Sequence, residues 1–143
     1  MVNQVETHPH NQQTEAQKWM QKYGVQIEAW APFGEGRGGL FTDGTIAKIA
    51  AKYERTVAQI ILRWELQRGI VVIPKSVHIE RMIENFNVFD FALSDEEMAI
   101  MATLDKKQSS FFSHTDPNMV EWFVQMVEQR KSNHDHSKDK KKW

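Results

Sequence analysis

Short apolar runs alternate with amphipathic stretches along most of this chain. Val2–Glu6, Val25–Trp30 and Ile70–Pro74 have the length and β-branched content of strands. The last, Ile-Val-Val-Ile before its proline, has the unbroken apolar character of a parallel strand covered on both faces. Elsewhere apolar residues recur at helical spacing. Ile46, Ile49, Ala50 and Tyr53 mark the buried face of a helix over about Thr45–Glu54; Val57, Ile60, Ile61 and Trp64 mark the next, which should stop at Gly69. Ile79, Met82, Ile83 and Phe86 repeat the pattern after the third strand. Thr14-Glu-Ala-Gln17 and Thr56-Val-Ala-Gln59 have the spacing of a capping box, and Ser94-Asp-Glu-Glu97 caps a further helix. Asp116-Pro117 opens the last one, with proline in the first turn, where its missing N–H costs nothing.

Strands alternating with helices form parallel β/α units, so the fold class is α/β. Three strands make a small sheet with two open edges. The periodicity lapses at Arg130: residues 130–143 hold six Lys or Arg against two Asp, while residues 1–129 hold 12 against 17. We therefore expect one domain over 1–129 and a disordered basic tail over 130–143, because a segment without apolar period cannot offset the entropy of ordering.

The overall charge of −1 gives no reason to expect nucleic acid or an anionic membrane as a partner. There are no cysteines, which excludes a disulfide framework and fits a reducing compartment. Apolar runs fall far short of the roughly 20 residues that span a bilayer, and Met1–Gln13 lacks the charged start and apolar stretch of a secretory signal. The expected location is the cytoplasm.

Among motifs, Gly34-Glu-Gly-Arg-Gly-Gly39 satisfies G-x-G-x-x-G after a strand. A Rossmann site also needs a helix opening inside the motif, whereas Leu40–Gly44 continues as loop, and the acidic residue about 20 positions on, Glu54, lies on a helix rather than at a strand end. The stretch reads instead as a flexible loop over a site at the strand's C-terminal end. Ile73-Pro-Lys-Ser-Val77 leads from strand to helix and places Lys75, Ser76, Arg81 and Asn85 at a helix start. That is a phosphate-binding arrangement or a solvated turn. His8 and His10, and His134 and His136, form H-x-H pairs without acidic or sulfur partners at ligand spacing, and read as loop histidines rather than metal ligands. Trp30 either stacks on a ligand ring or fills the core. Ser109, Ser110, Ser113 and His114 lie close together with no strained turn to present a nucleophile, and read as an irregular linker.

Taken together, Val2-Asn-Gln-Val-Glu-Thr-His-Pro9, Glu28-Ala-Trp-Ala-Pro-Phe33, Val57-Ala-Gln-Ile-Ile-Leu-Arg-Trp64, Gly69-Ile-Val-Val-Ile-Pro-Lys-Ser76, Glu84-Asn-Phe86 and Phe89-Asp-Phe-Ala-Leu-Ser94 resemble bacterial aldo-keto reductases of the diketogluconate and glyoxal reductase type. The resemblance implies the C-terminal part of a (β/α)8 TIM barrel, with the three strands standing as the sixth, seventh and eighth and the barrel incomplete. It also implies NADPH as cofactor and reduction of small aldehydes or ketones by hydride transfer. By the same resemblance Gln4 holds the nicotinamide amide and Trp30 stacks on its ring. Lys75, Ser76 and Arg81 bind the adenosine 2′-phosphate, and Glu84 and Asn85 contact the adenine. His78 stands where relatives carry a Thr or a basic residue.

The family's chemistry uses a Tyr proton donor tuned by a Lys, an Asp and a His, all in the first half of the barrel. Neither Tyr23 nor Tyr53 matches that position, so no catalytic residue is assigned and none of the histidines stands in. Met1 falls at the start of the sixth strand, where a truncated product, internal start or split gene is expected. Self-association, or pairing with an N-terminal barrel half that would complete a carbonyl-binding pocket, is the expected partnership.

Overall fold

The computed structural model describes residues 1–113 and 116–139, with side chains as far as Arg130. Three parallel strands, β1 (Val2–Glu6), β2 (Gln26–Trp30) and β3 (Val71–Val72), lie side by side in that order. β1 is in register with β2 along its length, from Val2 beside Gln26 to Glu6 beside Trp30. β3 pairs only through Val71 beside Glu28 and Val72 beside Ala29. It is shorter than the Ile70–Pro74 run predicts, because it has a single neighbour and Pro74 has no N–H to extend the ladder.

Pleating sends alternate residues to opposite faces. Val5, Ile27, Ala29 and Val72 meet Ile70, Met20 and Ala16 in a small core cluster. Gln4, Glu28, Trp30 and Val71 belong to the other face, and Val71 and Ile73 are more than two-fifths exposed. The expectation of a third strand covered on both faces is thus corrected: among the described residues, the helices cover one face.

Among the described residues there are six α-helices: α1 (Thr14–Lys22), α2 (Gly44–Lys52), α3 (Val57–Gln67), α4 (Ile79–Phe86), α5 (Asp95–Ala102) and α6 (Asn118–Asp139). The main core joins Ile46, Ile49 and Ala50 of α2 to Ile60, Ile61 and Trp64 of α3, with Leu40, Leu93 and Met101 closing it. Capping boxes form at Thr56 with Gln59 and at Ser94 with Glu97. The one expected at Thr14 does not. Thr14 is already helical behind Gln13 (φ 53°), which makes no side-chain cap, and the Gln17 side chain donates instead to the Arg68 carbonyl at 2.7 Å. Asp43, which the sequence pattern did not single out, caps α2 by accepting from the N–H of Thr45 and Ile46. Glu54 lies past the end of that helix, at φ 52°. In α4 the predicted apolar face is exposed, with Ile79, Ile83 and Phe86 all above three-fifths. The period reports amphipathicity; it does not guarantee a neighbour.

The chain divides into two units, Met1–Ser110 and Phe111–Trp143. In the second, Asp116 accepts from the Asn118 N–H at 2.9 Å, just past Pro117, and the Phe123 ring packs edge-on against Phe112. Where the sequence leads us to expect a disordered tail, α6 runs on to Asp139 with helical backbone over 130–139, although seven of those ten residues are Ser, Asn, His or Asp, which are weak helix formers. Residues 140–143 of that tail lie outside the described residues. No helix among the described residues is long and apolar enough to cross a membrane.

Candidate functional site

Parallel strands place their C-terminal ends along one side of a sheet, where ligands of α/β folds collect. The segment leaving β3 there forms a cleft of about 610 Å³. Lys75, Ser76, Arg81, Glu84 and Asn85 all line it, and His78 joins them. Phe33 and Phe41, whose ring centroids are 5.5 Å apart, also line it. Neither was picked out from sequence; the signal available was an aromatic on each side of the glycine run.

The chemistry of the cleft follows from the start of α4. His78 occupies the N-cap position but its side chain bonds no first-turn N–H, so those donors remain available to a ligand. Ser76 Oγ accepts from the His78 N–H at 3.1 Å and so fixes the turn that leads into the helix. Lys75 and Arg81 are exposed, and neither is in an ion pair among the described residues, in contrast to Arg55, which meets Asp90 at 2.6 Å. Two cations, a hydroxyl and an uncapped helix start suit an anion with several oxygens, such as a phosphate monoester. Glu84 is held from below: Thr56 Oγ1 donates to its carboxyl at 2.6 Å, and Gln59 Nε2 donates to its carbonyl at 3.2 Å. The capped start of α3 thereby supports the cleft.

Gln4 and Trp30 lie apart from that cleft's lining, on the open face of the sheet. Gln4 Nε2 donates to Glu28 Oε1 at 2.6 Å, across the register of β1 and β2. Trp30, at the end of β2, is half-buried. The glycine run does not open a helix. Gly34–Gly36 and Leu40–Thr42 are single 3-10 turns, and α2 begins only at Gly44.

His8 and His10 correct their assignment as surface histidines, since both are buried. His8 Nε2 lies 2.9 Å from Glu6 Oε1 and 3.1 Å from Ser110 Oγ. This brings a serine, a histidine and a carboxyl together, but both partners meet the same ring nitrogen. A nucleophile relay needs them on opposite nitrogens, so the group is not a hydrolytic triad. Burial pushes the His8 imidazole down from its ordinary value, against the pull of Glu6. His10 is lowered too, first by burial and then by Lys106 and His8, with Asp43 3.7 Å away pulling the other way. Among the described residues no cluster of three or more His, Cys, Asp or Glu could hold a metal. His114, and the side chains of His134 and His136, lie outside the described residues.

Residues 1–106 match the model of the aldo/keto reductase family. The chain is similar to glyoxal reductase of Bacillus subtilis (strain 168), with 45% identity over 108 residues that cover 76% of this chain and 38% of that protein. It is also similar to methylglyoxal reductase DkgA of Escherichia coli (strain K12), with 43% identity over 74% of this chain and 38% of the relative. It thus spans about two-fifths of the length of the curated relatives it matches. Solved structures agree. An aldo-keto reductase, MGS-M4, from a Medee basin deep-sea metagenome library shares 40% identity at a TM-score of 0.77, over 81% of this chain and 43% of that one. A Gox0644 mutant in complex with NADPH shares 41% at 0.74, over 82% and 42%. With the parallel β/α order and the Ile-Pro-Lys-Ser turn in place, these matches leave one assignment: the chain belongs to the aldo/keto reductase family.

Proposed function

We propose that this chain is the cofactor-holding part of an NADPH-dependent oxidoreductase of small aldehydes and ketones, its strands standing as the sixth to eighth of a (β/α)8 barrel. The observation that carries this is the grouping of Lys75, Ser76 and Arg81 at the uncapped start of α4. They take the adenosine 2′-phosphate, while Glu84 and Asn85, about one turn beyond Arg81 along the helix, face the adenine. Trp30 stacks on the nicotinamide ring and Gln4, oriented by Glu28, holds its amide. When bound, NADPH supplies the hydride for the carbonyl carbon.

The proton for the carbonyl oxygen needs a donor beside that open sheet face, and the two tyrosines sit elsewhere. Tyr23 and Tyr53 each follow the last residue of an outer helix, and the Tyr53 hydroxyl is engaged with Glu97. On this reading the chain alone binds the dinucleotide without turning substrate over, and turnover needs a complementary barrel half that brings the acid. The exposed stripe of α4 and the open edges of the sheet are the surfaces such a half covers. Calorimetric titration of the 143-residue chain with NADPH and with NADH tests the reading: NADPH should bind more tightly, and equal affinity would remove the 2′-phosphate assignment.

A further inference from the structure

Outside the cleft lies a buried polar group that the proposed chemistry does not use. At the end of β1 the Glu6 carboxyl accepts from three donors: His8 Nε2 at 2.9 Å, the Ser110 N–H at 2.7 Å and the Ser109 hydroxyl. Glu6 and His8 are almost wholly buried, and their nearest donors come from a segment more than 100 residues away in sequence. Polar groups so buried are costly unless partnered, and well partnered they specify one arrangement of the segments they join; the Glu6 carboxyl is so partnered, while His8 Nδ1 has no hydrogen-bond partner among the described residues. Here those segments are the end of β1 and the stretch Asp105–Ser110, also tied by the Lys106 N–H to the His10 carbonyl at 2.9 Å.

The glycine run rests directly on this group. A Cβ at Gly34 would lie 3.4 Å from Ser110 Oγ and 3.8 Å from His8 Nε2; one at Gly38 would lie 3.6 Å from His10 Nδ1. Both glycines have positive φ, 56° and 71°, which side chains rarely adopt. The loop therefore follows a path set by the surface that Glu6, His8 and Ser110 make beneath it. The same loop carries Phe33 and Phe41, two walls of the cleft around Lys75 and Arg81. Leu40, between them, is sunk in the main core.

We infer that Glu6 and His8 are positioning residues for the cofactor cleft, clamping Ser109 and Ser110 beneath the glycine-rich loop and so fixing the Phe33–Phe41 wall. The inference rests on the reading of the cleft as a dinucleotide site. A fixed wall slows escape of a bound dinucleotide more than its entry, because affinity among related complexes is set mainly by the off-rate.

The test compares wild type, Glu6→Gln, Ser110→Ala and Arg81→Ala as full chains, by stopped-flow release of NADPH and by amide hydrogen exchange without ligand. Glu6→Gln retains shape but places an NH2 where an acceptor was. It should release NADPH about tenfold faster, the scale of one lost charged hydrogen bond, and the amides of residues 34–42 should lose protection while those of α3 keep theirs. Ser110→Ala, which leaves Glu6 and His8 paired, should show the same two effects more weakly, and it carries the test if Glu6→Gln does not fold. Unchanged release, or faster release with residues 34–42 still protected, overturns the clamp while leaving the cleft assignment intact, provided Arg81→Ala weakens binding. No NADPH binding by wild type, or no effect of Arg81→Ala, overturns the cleft assignment and the clamp with it.

Discussion

The Tyr53 hydroxyl donates to Glu97 Oε2, joining the residue that ends α2 to the capping box that starts α5. Lys52 Nζ meets the other carboxyl oxygen at 2.6 Å, and the Ser94 N–H also donates to this group, at 2.8 Å. Burial pushes the Glu97 carboxyl up, but the hydrogen bonds from Lys52, Tyr53 and Ser94 outweigh it and hold the group at about 2, against an ordinary 4.5. A carboxyl depressed in the folded state contributes stability above its unfolded value, and that contribution disappears as pH falls through the folded one. Between pH 4.5 and pH 2, then, the chain should lose about 2 kcal/mol from this site, a figure reduced because Lys52 is solvent-exposed. Glu97→Gln should lower the urea midpoint at pH 7 and have much less effect near pH 2.

Glu65 presents the opposite sign. It is fully buried in α3 with neither carboxyl oxygen hydrogen-bonded, and burial raises it well above its ordinary value, while Arg68 pulls it down only in part. An acid raised in the folded state contributes most below its unfolded value and opposes folding as pH rises past it. Glu65→Leu should raise stability at pH 7 by about 1 to 3 kcal/mol, the cost of an unsatisfied buried polar group. The gain should shrink toward pH 4. A midpoint that falls at both pH values would show that Glu65 is held by a partner through water.

Arg81→Ala should cost about 1.5 to 3 kcal/mol of NADPH affinity, the range for a hydrogen bond to a charged group, and leave NADH affinity nearly unchanged. Calorimetry with the two cofactors separates a phosphate contact from general disruption, which would weaken both.

The exposed stripe of Ile79, Met82, Ile83 and Phe86, with Val71 of β3 lining one pocket with Met82 and Phe86, should drive self-association of the chain. Sedimentation velocity should show oligomers that decrease in Ile83→Glu. A monodisperse wild-type monomer would mean that this face tolerates water.

With both tyrosines at the ends of outer helices rather than at the sheet face, the chain alone should reduce glyoxal no faster than background, since a positioned acid typically contributes about 10²- to 10⁴-fold. NADPH consumption is measured for the chain alone and with an N-terminal barrel half from a relative. Turnover by the mixture alone supports the complementation reading. Turnover by this chain abolished by Tyr53→Phe would place the acid where α2 ends.

Much of this protein follows from local sequence. The faces of α2 and α3, the boxes at Thr56 and Ser94, and the placement of Lys75, Ser76 and Arg81 about a helix start depend on spacing within a few residues, and local spacing is written directly in the chain. Tertiary structure decided everything that depends on what lies opposite. Thr14 has the right spacing for a cap, yet its helix starts one residue earlier, with Gln13 at the N-cap and the Gln17 side chain bonded to the Arg68 carbonyl. The stripe of α4 has the right period, yet it faces solvent. Glu6 and His8 look unremarkable beside one another, and only the return of Ser109 and Ser110 makes them a buried network. Phe33 and Phe41 became cleft walls in the same way. A period or a cap is a property of one segment, whereas burial and partnership belong to two, and the second segment is brought near only by the fold.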